Sequence, residues 1–292
     1  MPSVQPIKQI CAIRRKPNLT RKEYFDYRFR VHGAITDGPD HKDEKPHKYI
    51  QTQVFDSVFG ARKGGPVNAN QHWVGRDDVT ELFFRDGEHV LRCFTSDHVK
   101  EKVGPDGAQF ADFETNIVLM AHEKVVDINT RLATRRIEPG LVKPEGSATV
   151  ALYFISSPNH DKEGEQLEAR LTPLLIDALQ QHCQDEVWRL EANVGTASKE
   201  FDLASYFGGG GMPPFCLVYK IFLKGRASVP VFRNAQHTFE VNAHDHFDVH
   251  SSFVVFGEEA LILDMDMDKG IRFAPDRQPS FPDLPGPTHL KI

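Results

Sequence analysis

One order of secondary-structure signals occurs twice in this 292-residue chain, and that repetition restricts the fold more than any single motif does. In the first copy, residues 7–15 mix apolar and polar side chains ahead of Lys16-Pro17 and read as a strand. Thr20 and Glu23 have the spacing of a capping box, in which each side chain satisfies a backbone group of the first helical turn. The helix this box opens, about 21–35, sets Tyr24, Arg28, Val31 and Ile35 on one face. Residues 49–59 alternate Gln51, Gln53 and Ser57 with Ile50, Thr52, Val54 and Val58, the period of a strand with two different faces. A Gly- and Asn-rich loop (62–70), a short strand (80–84), helical segments (88–103 and 108–113) and a closing strand (115–123) follow. The order is βαββαβ, the ferredoxin-like split unit.

Residues 124–147 are charged, carry Pro139 and Pro144 and lack an apolar period, as a linker does. The order then returns: strand 148–156, amphipathic helix 164–183, strands 187–194 and 215–223, helix 228–240 and strand 252–257. Sliding one half over the other lays Asp112 on Asp248, Ile117 on Phe253 and Glu123 on Glu259, the pattern of a diverged duplication. Each unit has helices on one face of its sheet and needs a cover for the other. The fold class expected is therefore α+β, two tandem ferredoxin-like units packed as a barrel within one chain. The divisions expected are a first unit at 1–125, a linker at 126–147, a second unit at 148–273 and a Pro-rich arm at 274–292.

Composition narrows the function. A formal charge of −6 argues against nucleic-acid binding, which wants a basic face. No apolar run approaches the roughly 20 residues of a membrane span, and the N-terminus lacks the basic-then-apolar pattern of a signal peptide. Cys11, Cys93, Cys183 and Cys216 lie far apart with no CxxC, which suits a reducing cytoplasm and predicts neither a zinc site nor a disulfide framework. The expected partner is a small molecule, with no nucleic acid, no membrane and a homodimer of the two-unit chain as an open alternative.

Three stretches together resemble the EthD-like proteins of the dimeric α+β barrel superfamily: IRRKPNLTRKEYFDYRFRVHG (13–33), KYIQTQVFDS (48–57) and the run from Asp77 to Glu123. The second half keeps the element order without those motifs. What the resemblance implies is a small-molecule enzyme that needs no cofactor: monooxygenases, polyketide cyclases, and proteins described as dehydratases or decarboxylases share the superfamily. SDHV (96–99) resembles the segment that holds the catalytic histidine of olivetolic acid cyclase, which the resemblance carries onto His98; Cys93 and Phe94 stand where the assisting tyrosine is sought. His32, near the end of the first helix, falls where family members commonly carry a histidine.

Candidate catalytic residues are therefore His98 and His32, since imidazole moves protons near neutral pH without a cofactor. Candidate substrate-binding residues are Tyr24 and Arg28 on the His32 side of the helix, Tyr49, Gln51 and Gln53 on one face of the second strand, Trp73 after the Gly-rich loop, and Phe94. No metal is expected, although His244, His246 and His250, with Asp248, would share one side of a strand and suit Zn, Fe or Mn. Asp264, Asp266 and Asp268 approach a calcium loop, but Gly270 is a place late and Pro275 stands where the closing Glu belongs. Gly208 to Gly211 lacks the strand-to-helix context of a phosphate loop. The function expected is a cofactor-independent lyase or cyclase (dehydration, decarboxylation or aldol closure) acting on an aromatic or polyketide-like molecule. The open alternatives are a cofactor-free monooxygenase of a phenol and a non-catalytic binding or stress protein.

Overall fold

A computed structural model describes residues 6–60, 74–135, 148–157, 164–196, 215–266 and 270–280. Eight strands close into one antiparallel barrel: β1 (Ile7–Ile13), β2 (Lys48–Phe59), β3 (Asp78–Phe84), β4 (Ile117–Val126), β5 (Thr149–Ser156), β6 (Val187–Gly195), β7 (Phe215–Leu223) and β8 (Asp248–Asp264). Around the barrel they run β1-β3-β2-β8-β5-β7-β6-β4 and back to β1. The units are joined by β2 to β8 and by β4 to β6, so each closes the other's sheet and no edge is left open. The fold is the expected intramolecular α+β barrel.

The registers carry the duplication. Cys11 lies opposite Thr80 and Val118 in the first unit, as Tyr153 lies opposite Tyr219 and Val254 in the second. Following the same ladders, Gln51 corresponds to Ala192 and Glu81 to Lys220. Alternation along the strands then separates two faces. Inward go Ile10, Ala12, Val79, Leu119, Leu152, Phe154, Phe253 and Val255, an apolar cluster drawn from both units. Also inward is a buried ion network: Lys8 Nζ reaches Glu81 at 2.5 Å and Glu123 at 2.8 Å, while Lys220 Nζ reaches Glu81 at 2.6 Å and also contacts Glu259. Burial alone pushes Glu81 upward, but Lys220 and Lys8 outweigh it and hold the carboxyl below its usual range.

Helices cover the outer faces. Thr20 and Glu23 form the capping box that starts α1 (Arg21–Asp26), which runs through a π-helical stretch (Tyr27–His32) into α2 (Gly33–Asp37). Asp86 accepts from the backbone of His89 to start α3 (Gly87–Thr95). Ser96 leaves the helical region, so the helical segments expected over 88–103 are α3 and a second π-helical stretch (Val99–Val103), which runs directly into α4 (Gly104–Phe110), a few residues before the expected 108–113. A short α5 (Arg131–Thr134), capped by Thr130, lies in the segment expected as linker. The second unit carries α6 (Glu165–His182) and α7 (Val229–Ala243). β8 is longer than the expected 252–257: after Gly257 it continues along β2, because the neighbouring unit supplies its hydrogen-bond partners.

The two outer faces differ. Leu171, Leu175 and Leu179 of α6 and Phe232 and Phe239 of α7 are fully buried against Tyr153, Leu217 and Ile221, a filled apolar layer. In the first unit the equivalent space is partly open.

Candidate active site

Between the first unit's sheet and its helices lies a cavity of about 580 Å³. Its floor is the outward row of β1, β2 and β3, including Gln9, Cys11, Tyr49, Thr80 and Leu82. Its wall is the helical side: Arg28, His32 and Thr36 from the first helix, and Phe94, Val99 and Phe110 from the second helical run. Glu44 and Lys100 also line it. Apolar walls with a few converging polar groups are the ordinary makeup of a small-molecule site. Both π-helical stretches border this space, and such wide turns occur frequently at functional sites.

Arg28 is buried to 2 % exposure, and its fork is fixed by three neighbours. Nη1 donates to the Tyr49 hydroxyl and Nη2 to the Thr80 hydroxyl, each at 2.5 Å, and Nε stands 3.8 Å from Asp78. Burial lowers the stability of the cation, yet Tyr49 and Asp78 outweigh it and the guanidinium remains charged. Asp78, fully buried, is itself pushed up to about 6 by burial, against the pull of Arg28. The Tyr49 oxygen accepts a second bond from Gln51 Nε2 at 2.8 Å. With two donors aimed at its oxygen, the phenolic proton is left to donate elsewhere. Burial raises the Tyr49 pKa to about 12, so this group is a hydrogen-bond donor and not a base.

His32 stands one helical turn beyond Arg28. Its Nδ1 is 2.7 Å from Asp106 Oδ2, whose other oxygen accepts from the Tyr27 hydroxyl at 2.6 Å. Edge-on packing against Phe110 at 4.8 Å fixes the ring. Burial, and then the Arg28 charge, lower the His32 pKa to about 4; Asp106 opposes both without winning. The imidazole is therefore neutral at physiological pH. If Nδ1–H donates to Asp106, as an ionised carboxylate requires, Nε2 carries the free lone pair. A neutral base oriented by a carboxylate thus shares a cavity with a buried cation and a phenolic donor.

Of the residues expected from sequence, Arg28, His32, Tyr49 and Phe94 line this cavity. His98 does not: its Nε2 is held by the Ile35 carbonyl at 2.8 Å, tying the second π-helical stretch to the end of α2. Tyr24 is also absent from the lining, because α1 turns it into a fully buried cluster with Phe25 and Phe110. Gln51 stands behind Tyr49 and reaches the Arg28 carbonyl at 3.0 Å, a supporting position. Gln53 is buried outside the lining, and neither of its side-chain polar atoms has a hydrogen-bond partner among the described residues. Trp73, Asp268 and the Gly208 to Gly211 run lie outside the described residues.

The proposed strand-borne ligand set of His244, His246 and His250 does not exist as such. His244 caps α7, His246 lies in the turn that follows, and His250 is on β8. Among the described residues no group of three His, Cys, Asp or Glu side chains could hold a metal ion. Sequence reasoning missed Thr80, Asp78 and above all Asp106. The last sits in Pro105-Asp106-Gly107, in the first turn of α4, where an acidic residue is also expected for the helix dipole alone.

Residues 16–114 match the family model of the EthD domain. No curated protein matches the chain. Among solved structures, an anthrone oxidase-like protein is similar over 89% of this chain and 94% of its own, with 10% identity and a TM-score of 0.53. A mutant chlorite dismutase from Candidatus Nitrospira defluvii is similar over 88% of this chain and 92% of its own, with 10% identity and a TM-score of 0.43. At that identity the likeness to the anthrone oxidase-like protein is one of fold. No helix among the described residues is long and apolar enough to cross a membrane.

Proposed function

We propose that the protein, whose residues 16–114 match the EthD domain, is a cofactor-independent enzyme that removes a proton from an aromatic or polyketide-like substrate and directs the resulting anion into a lyase or cyclase reaction. The observation that carries this reading is the pairing of His32–Asp106 with Arg28–Tyr49 around one apolar cavity. His32 Nε2 takes the proton from a carbon next to a carbonyl, and Asp106 supports the imidazolium that forms. The electron pair moves onto the carbonyl oxygen, which accepts a hydrogen bond from Tyr49 and lies in the field of Arg28. In aldol closure the carbanion then attacks a second carbonyl of the same chain, and the imidazolium returns its proton to the new alkoxide. In dehydration the electron pair returns to form a C=C bond as the C–O bond of a β-hydroxyl breaks, and the imidazolium gives its proton to the leaving oxygen, which departs as water.

The apolar walls hold a flexible chain in a reactive shape and exclude competing water. Among the described residues of the second unit, Leu190, Ala192 and Leu217 stand where the first unit has Tyr49, Gln51 and Asp78. The test is turnover of linear and cyclised polyketide-like phenols with oxygen concentration followed continuously. Product formation without oxygen uptake supports the lyase or cyclase reading. Stoichiometric uptake overturns it in favour of a cofactor-free monooxygenase, in which the same anion reacts with dioxygen; the likeness to an anthrone oxidase-like fold is what favours that second reading.

A further inference from the structure

The helix that presents Arg28 and His32 to the cavity has a second face, and a segment from the other end of the chain is fastened to it. Residues 270–280 leave β8, bridge back to it through Ile271 and Asp264, and run along the rear of the first helix. At the helix C-terminus, the buried Asp37 carboxylate accepts from Arg272 Nε at 2.9 Å to each oxygen, from the Phe273 backbone at 2.8 Å and from Lys45 Nζ at 2.8 Å. Arg272 also donates to the Asp37 carbonyl at 2.8 Å. Near the other end, Gln278 Nε2 donates to Asp26 at 3.1 Å while its Oε1 accepts from Arg30 Nε at 2.7 Å.

Between those anchors Phe273 packs on Phe29 at 5.6 Å. Gly33 permits the approach: a Cβ there would meet Ile262 at 3.0 Å and the Phe273 ring at 3.4 Å. The anchors at Asp26 and Asp37 span about 16 Å of helix at about 1.5 Å per residue, and the π-helical stretch that bears Arg28 and His32 lies between them.

We propose that residues 270–280 are a positioning strap, by which the second half of the chain fixes the placement of Arg28 and His32, with Arg272 and Gln278 as its two fastenings. A π-helical stretch is rare and occurs mostly as a single turn within an α-helix, frequently at a functional site. The strap grips only the rear face, so it acts on the cavity through the helix and touches none of its contents. This gives the second unit a part in the site although its own outer face is filled. The consequence for turnover rests on the proton-transfer reading above; the placement of the helix does not.

The test uses the full chain with Arg272→Ala, Gln278→Ala, the double variant and Arg272→Lys. Amide hydrogen exchange is measured for residues 21–37, with α6 as the internal reference. The double variant is expected to exchange at least about tenfold faster over 21–37 with α6 unchanged, and Arg272→Lys, which keeps one donor for Asp37, to fall between it and the wild type. The second readout is the His32 imidazole titration by NMR. The charged groups that face His32 are Arg28 from its own helix and Asp106 from α4, with Lys100 and Glu44 elsewhere in the cavity lining. Loosening the helix admits water, so the His32 midpoint is expected to move from about 4 toward the ordinary imidazole range.

Unchanged exchange over 21–37 and an unmoved His32 titration overturn the strap. So does an equal loss of protection in α6, which marks general destabilisation. Neither readout needs a substrate, so failure of the enzymatic reading appears separately, as absence of turnover in the wild type.

Discussion

His32 and Asp106 show how far a single residue's role depends on its neighbours. The imidazole is neutral because burial and Arg28 outweigh the carboxylate beside it. Its folded pKa, about 4, lies below the ordinary value near 6.5, so the linkage has a definite sign. The stability it contributes is fully present above about 6.5 and declines as the pH falls through that value toward 4. His32→Ala is predicted to flatten the dependence of unfolding free energy on pH across that window, as read by urea unfolding at several pH values. Asp106→Asn removes the group that raises the pKa, so the NMR midpoint of His32 should fall below about 4; a rise would contradict the assigned pairing. In the proposed reaction, His32→Ala should cost about 10²–10⁴ in turnover. His98→Ala, which changes a contact to the Ile35 carbonyl outside the cavity, should cost far less. His32 was legible because its motif and helical spacing are local. Asp106 was not, because it meets His32 across 74 residues of sequence and its place in a first helical turn has a sufficient local explanation.

At the scale of elements, patterning located strands and helices but not what their faces touch. The capping box of Thr20 and Glu23 and the strand at Phe215–Leu223 form as read, because both signals are complete within a few residues. The extension of β8 past Gly257 depends on β2 of the other unit, a partner far away in sequence. The histidines at 244, 246 and 250 share a strand period on paper; the end of α7 and the turn after it break that period. Tyr24 and Arg28 share a helical face, yet only Arg28 reaches the cavity, because Phe110 packs over the tyrosine. The filled layer of the second unit leads to a prediction of its own. Leu175→Ala, at a fully buried position of α6, should cost about 2–5 kcal/mol in stability. It should leave the His32 titration where it is, and a coupled shift would show that the two outer layers are not independent.

Across the whole molecule, the duplication places opposite charges at corresponding positions. Glu81 and Lys220 occupy equivalent places in their ladders and bond each other at 2.6 Å inside the barrel. Two identical units would set like charges there, so this contact belongs to a barrel whose halves have diverged. Reversing one charge, as Glu81→Lys or Lys220→Glu, leaves an uncompensated buried charge and should cost about 3–5 kcal/mol. The double reversal should recover part of that loss in denaturant unfolding, and no recovery would contradict a direct pair. In the cavity of the first unit, the proposed reaction has His32 remove a proton from a carbon acid held by Arg28 and Tyr49. The most direct measurement is hydrogen–deuterium exchange at the acidic carbon of a phenolic β-dicarbonyl compound in D2O, compared for wild type and His32→Ala. The expected result is catalysed exchange by the wild type and the buffer rate with the variant, whatever reaction follows. Equal exchange rates for the two proteins would contradict it.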